Sequence, residues 1–218
     1  MKKPLLNLLA LFVLFSFAVQ VHAQSVGVKA GVNIASWAGD DIFDEDVFSS
    51  ITGLQFGAVA VLPVSDKFAI QPELLFLQKG FENEIDFLSE KIITTTTLNY
   101  LEIPILARIT LTEGPTQIFV NAGPSIGLGL GGTIKSEAGG VEEEEDFDFD
   151  ENDTNSFDLG LAVGAGVQFE VGPGNLFIDV RYLLGLSGLD DSENEEEQID
   201  AFNRGIGASV GFLFPIGQ

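Results

Sequence analysis

The chain has 218 residues, with 10 basic against 33 acidic side chains, a formal net charge of −23, no cysteine and one histidine, His22. So large an excess of carboxylates excludes nucleic acid as a partner, and the missing cysteines exclude disulfides and a cysteine-linked lipid anchor. With its one histidine in the leader described next, the rest of the chain has no set for Ser-His or Cys-His chemistry, and no enzyme and no cofactor are expected.

Met1-Lys2-Lys3, the apolar run from Leu5 to Val19 and the small-residue end Val21-His22-Ala23 have the layout of a secretory signal peptide. Residues 1–23 are therefore expected to be removed, and residues 24–218 to form one domain. No later apolar run is long enough for a spanning helix, so a membrane would be entered only as strands.

Alternation with a period of two then runs through the chain. The first strand, Ser25 to Trp37, sets Val26, Val28, Ala30, Val32 and Ile34 against Gly27, Lys29, Gly31, Asn33 and Ala35. The acidic connection Ala38 to Ser50 follows. Gly53 to Leu62 is the second strand, and a short connection at Pro63 to Lys67 leads into the third, Phe68 to Lys79. A second long acidic segment, Gly80 to about Thr95, is expected to be a loop, although its β-branched end, Ile92 to Thr97, is suited to continue the sheet. Leu98 to Leu111 is the fourth strand, Thr112 to Thr116 a tight turn and Gln117 to Gly131 the fifth strand.

The longest connection, Gly132 to Ser156, is the most acidic. The sixth strand, Phe157 to Val171, has the cleanest alternation: Phe157, Leu159, Leu161, Val163, Ala165, Val167, Phe169 and Val171 on one face, small or polar residues on the other. After the turn at Gly172 to Asn175 come the seventh strand, Leu176 to Leu186, the acidic loop Ser187 to Ala201 and the eighth strand, Phe202 to Phe214. Long and short connections alternate throughout. In an up-and-down antiparallel sheet the four long ones then share one end, where they carry most of the 33 carboxylates. The expected fold is all-β: an eight-stranded antiparallel up-and-down transmembrane β-barrel with four long acidic loops on one rim.

Two barrels fit such a pattern, a soluble carrier with its apolar rows inward and an outer-membrane barrel with those rows in lipid. The other rows decide between them. They are rich in glycine, which suits a narrow interior and not a solvated strand surface. Their charges are few and nearly balanced: Lys29, Lys79, Arg108 and Arg181 against Glu73, Glu102, Asp158, Glu170 and Asp179. A lumen network built from Lys29, Glu73, Lys79, Glu102, Arg108, Glu170, Asp179 and Arg181 is expected, because ions inside a barrel need partners. The apolar rows carry no charge in mid-strand, as a cost of about 2 to 4 kcal/mol for a basic residue at the bilayer midplane requires. Arg204 has outward parity near a strand end, where it can snorkel, and Tyr182 suits an interfacial girdle. Trp37 and Tyr100 have inward parity, and a bulge or a changed register there would be needed to turn them out.

Several stretches resemble the outer-membrane β-barrel domain family common in Bacteroidetes, whose members are described as porin-family or PorT-family proteins, with OmpA and OmpX as more distant architectural relatives. The likeness lies in Gly31-Val-Asn33, Gln71-Pro-Glu73-Leu-Leu-Phe with Lys79-Gly80, Tyr100-Leu-Glu102-Ile-Pro104, Ala122-Gly123-Pro124 and the glycine-rich sixth strand. The resemblance implies location in the cell outer membrane, contact with its lipid and with the barrel assembly machinery, and both termini in the periplasm. The last strand departs from the usual assembly signal, ending Phe214-Pro-Ile-Gly-Gln218 instead of on an aromatic residue.

The expected role is structural or surface-binding through the acidic loops, with an extracellular ligand or cations as the partners those loops suit. The alternatives are a narrow passive pore and a PorT-like accessory to protein secretion. Asp146-Phe-Asp-Phe-Asp150 opens like an EF-hand loop but has Glu151 where glycine is needed and Phe157 where the bidentate glutamate should stand, so only weak loop cation binding is expected, and no metal site.

Overall fold

The computed structural model describes residues 24–39, 48–87, 90–152, 154–189 and 201–216. The expected leader, most of the first acidic connection and most of the fourth lie outside the described residues. The described strands are β1 (Gln24–Ala38), β2 (Phe48–Ser49), β3 (Ile51–Pro63), β4 (Phe68–Phe87), β5 (Glu90–Thr110), β6 (Thr116–Ala138), β7 (Val141–Phe147), β8 (Phe157–Val171), β9 (Gly174–Gly185) and β10 (Phe202–Ile216).

Eight of them close into a ring. Its order is β1-β3-β4-β5-β6-β8-β9-β10, and β10 pairs back onto β1 from Gln24↔Ile216 to Ala38↔Phe202. Each neighbouring pair is antiparallel. Closure leaves the ring itself no free edge, so its backbone donors and acceptors are met inside the sheet.

The alternation read from the sequence sorts the side chains as expected. The apolar rows point out and stay exposed: Val28 62%, Leu54 56%, Ile105 50%, Val163 57% and Val180 52% of their surface. The glycine-bearing and polar rows point in, with Lys29, Glu73, Asp179 and Arg181 all buried. A soluble carrier requires the reverse.

Two of the four expected acidic loops are instead largely strand. β4 and β5 pair without a break from Lys79↔Leu98 to Phe87↔Glu90, so the second connection is a long hairpin rising beyond the ring. The β-branched run Ile92 to Thr97 supplies β propensity, and acids alternating along the strands can stay solvated. Lys91 Nζ to Glu84 at 2.6 Å and Thr95 Oγ1 to Glu82 at 3.3 Å tie its strands together.

The third connection also begins as a hairpin. β6 runs on to Ala138, turns at Gly139-Gly140 and returns as β7 with Ala138↔Val141 to Gly132↔Phe147. Both turn glycines have positive φ, 58° and 81°, as a two-residue hairpin turn demands. Lys135 on β6 pairs with Glu142 across the hairpin, and that hydrogen bond raises its pKa.

A bulge interrupts the β5/β6 register between Asn99 and Tyr100, which face Gly131 and Gly129. Leu130 is the extra residue, 60% exposed, and Gly131 takes φ 112° to accommodate it. Above this point β6 exchanges its faces, so Ile134 packs inward. The bulge does not turn Tyr100 outward: its side chain is fully buried in the ring.

Candidate functional site: the filled lumen

The interior is a stack of layers, each placed by inward parity on a different part of the ring. At the end bearing the short turns, Val59, Phe119, Phe177 and Leu213 form an apolar plug. Each of the two aromatic rings faces a glycine on the next strand: Phe119↔Gly166 and Phe177↔Gly211 are register pairs. A Cβ on either glycine would collide with the opposing ring, so the glycine makes room for the aromatic.

Above the plug lies Arg108, its guanidinium 3.6 Å from the centre of the Phe119 ring. It donates through Nη1 to Gln71 at 3.1 Å and through Nη2 to Gln168 at 2.8 Å. The next layer joins opposite walls. Arg181 on β9 makes two hydrogen bonds of 2.7 Å to the two carboxylate oxygens of Glu73 on β4, the fork-on-fork arrangement that is strongest for this pair. Arg181 also lies 2.6 Å from Asp179, and Lys29 lies 3.5 Å from Glu73 and 3.4 Å from Asp179. Gln71 Nε2 donates to Glu73 at 2.6 Å, and the Ser209 hydroxyl donates to Asp179.

A second ionic layer sits towards the hairpin end. Lys79 is 2.8 Å from both Glu102 and Asp158, and Asp158 also accepts from Asn203 Nδ2 at 2.9 Å. Over it closes an aromatic cap of Leu98, Tyr100, Phe147 and Phe149, with Trp37 and Ile134 packed against it. Phe147 and Phe149 come from the third acidic connection. Phe147 ends β7 and Phe149 lies just beyond it, and both rings turn inward to cap the lumen. Asp148 between them accepts from the backbone N–H of Asp150 at 2.9 Å, which shapes the turn that delivers Phe149.

Seven of the eight residues expected in a lumen network are thus buried together: Lys29, Glu73, Lys79, Glu102, Arg108, Asp179 and Arg181. Glu170 is not among them. It lies one residue from the end of β8 and is exposed, because the strand has by then left the lumen for the turn at Gly172. Asp158 takes the fourth carboxylate place, so the buried set has four cations and four carboxylates, with Arg108 bound to Gln71 and Gln168 and the other three cations paired with carboxylates. Sequence reasoning missed the neutral partners Gln71, Asn203 and Ser209, though their inward parity was the signal that marks them. Among the described residues, no three carboxylates or histidines gather as metal ligands.

The packing leaves little free space. Among the described residues, cavities of about 10 Å³ lie beside each of the two ionic layers, about the room of one water molecule. Gly164, opposite Arg181 in register, shows how tightly the layers are set: a Cβ there would stand 2.5 Å from Arg181 Cγ and 3.0 Å from Asn121 Oδ1. Gly164→Val is expected to destabilise the protein by about 1 to 3 kcal/mol through overpacking, read as a lower urea midpoint at unchanged slope.

A family model described as outer membrane protein beta-barrel domain matches residues 20–191. Among curated proteins none matches. Solved structures with a similar fold include Ail, the attachment invasion locus protein of Yersinia pestis, at 15% identity and TM-score 0.42 over 88% of this chain and 100% of that one. Neisserial surface protein A aligns at 16% identity and TM-score 0.45 over 85% and 95%. The outer membrane protein AlkL, solved in lipid bilayers, aligns at 14% identity and TM-score 0.41 over 92% and 96%.

Proposed function

The chain belongs to the outer membrane protein β-barrel domain family, and on that premise we propose that it is a closed, non-conducting and non-enzymatic eight-stranded barrel that carries acidic hairpins as a binding surface outside the cell. Its location is the outer membrane. The outward rows, from Val28 to Val210, then touch lipid, and the polar interior is shielded from it.

The observation that carries this reading is the filled lumen. An ion crossing it would have to part the Phe119 and Phe177 plug, two layers of buried ion pairs, and the cap of Tyr100, Phe147 and Phe149. Removing one partner from such a layer strands a buried charge, which makes spontaneous opening costly. The work therefore falls to the parts outside the membrane. Glu142, Glu143, Glu144 and Glu145 lie on β7, and the hairpin of β4 and β5 stands beside it through β6. An acidic sheet of this kind suits a cationic ligand or a basic partner surface.

Single-channel recording in planar bilayers tests the closed state. The wild-type protein is expected to give no steady unitary conductance; a reproducible open level in membranes holding folded protein would overturn the reading in favour of a narrow pore.

A further inference from the structure

Arg204 stands apart from every other cation of the ring. It lies on the outward row of β10 with Ile206, Ala208 and Val210, and so at the lipid side. Lys29, Lys79, Arg108 and Arg181 point into the lumen, and Lys135 in the projecting hairpin is paired with Glu142. Lys91, on the other hairpin, is paired with Glu84. No carboxylate among the described residues pairs with Arg204.

Its position is that of an interface residue. In register it meets Leu184 on β9 and Ser36 on β1, one side-chain step beyond the pair Ile206↔Tyr182. Two residues of a tilted strand put it about 5 Å further from the midplane than Tyr182, the height at which a girdle gives way to headgroups. Paired residues of an antiparallel ladder share a face, so Ser36 lies beside Arg204 on the same side of the sheet.

The guanidinium is held by one nitrogen alone. Nη1 donates to the backbone carbonyls of Gly185 at 2.7 Å and Asn203 at 3.2 Å, and the group sits 5.7 Å from the Phe202 ring centre. Those two bonds use both Nη1 hydrogens. They orient the plane and leave the Nε and Nη2 hydrogens, a complete two-pronged edge, without a protein acceptor among the described residues. That edge matches two oxygens of a phosphate, and a lone cation at a lipid border gains most from an anion at the same height.

We propose that the Nε–Nη2 edge of Arg204, with Ser36 beside it, binds the phosphate of an anionic lipid headgroup at the border of the barrel. The site anchors one lipid against β1, β9 and β10. A soluble anion is the poorer occupant, because among the described residues the outward rows of β1, β9 and β10 carry no carboxylate, whereas the hairpins on the same rim are acidic. The inference rests on the reading that the outward rows face lipid. Failure of that reading would show separately, as a folded protein that stays dispersed without detergent.

The test is native mass spectrometry of the refolded full chain in neutral detergent, with phosphatidylglycerol as the probe. Wild type is expected to retain one lipid, and Arg204→Gln to bind it about tenfold more weakly, the loss of one bidentate charge-assisted contact. Arg204→Lys, which keeps the charge but not the fork, is expected to fall between them. Folding of each variant is read from its heat-modifiable mobility in gels; should Arg204→Gln not fold, the comparison of Arg204→Lys and Ser36→Ala with wild type decides. Retention independent of residue 204, lysine as good as arginine, or displacement of the lipid by equimolar inorganic phosphate would each overturn the proposal.

Discussion

Glu73→Ala is expected to lower the unfolding free energy by about 3 to 5 kcal/mol, the cost of leaving a buried charge without its partner. Glu73 is the hub of the lower ionic layer: Arg181 grips both of its oxygens at 2.7 Å, Lys29 stands 3.5 Å away and Gln71 donates to it at 2.6 Å. Its removal leaves Arg181 and Lys29 to share Asp179 alone, two cations on one carboxylate in a water-poor interior. Equilibrium unfolding in urea measures this, with fluorescence of Trp37, the sole tryptophan, as the probe. A Glu73→Leu, Arg181→Met double variant removes both members of the pair and is expected to lose less than the sum of its single changes. Strict additivity, or a loss below 1 kcal/mol for Glu73→Ala, would show that the pair does not hold the two walls together.

Phe177→Ala should be about as damaging, at about 3 to 5 kcal/mol, because its ring is 1% exposed in the apolar plug and its truncation leaves a cavity there. The neighbour in register is Gly211, which leaves the ring its space. That pairing sets up a reciprocal test. Gly211→Leu alone is expected to destabilise by collision with Phe177 and with the Val28 carbonyl 2.7 Å from the new Cβ; on Phe177→Ala the ring's share of that collision is gone, so the double variant should lose less than the sum of the single changes. Independent effects of the two substitutions in the same urea experiment would mean that the aromatic and the glycine do not share one space.

Much of this molecule is legible because β structure writes its faces into adjacent positions. The eight strands of the ring, the alternation of Phe157 to Val171 and the inward parity of Lys29, Glu73, Glu102, Arg108 and Asp179 all follow from a period of two, and the closed ring sorts them accordingly, whereas β2 and β7 were not legible. Charge misled at the rim. Acids in Gly80 to Thr95 and in Gly132 to Ser156 had the composition of loops, yet solvated strands tolerate acids as well as loops do, and Gly139-Gly140 was a hairpin turn hidden beside Glu142 to Glu145. At Glu170 the parity was right, but parity cannot tell how far along a strand the lumen extends.

What the sequence determined alone is which side chains enter the interior and that their charges can balance, since both depend only on local alternation. Which of them meet was decided by closure of the ring. Glu73 and Arg181 are 108 residues apart, on β4 and β9, opposite one another across the lumen, and they touch only because eight antiparallel strands in this register bring them to one height. The same holds for the cap, where Phe149 reaches the space over Gly129 from a connection whose own sequence points to water. Such contacts depend on the stagger of the whole ring, a quantity that no single strand contains.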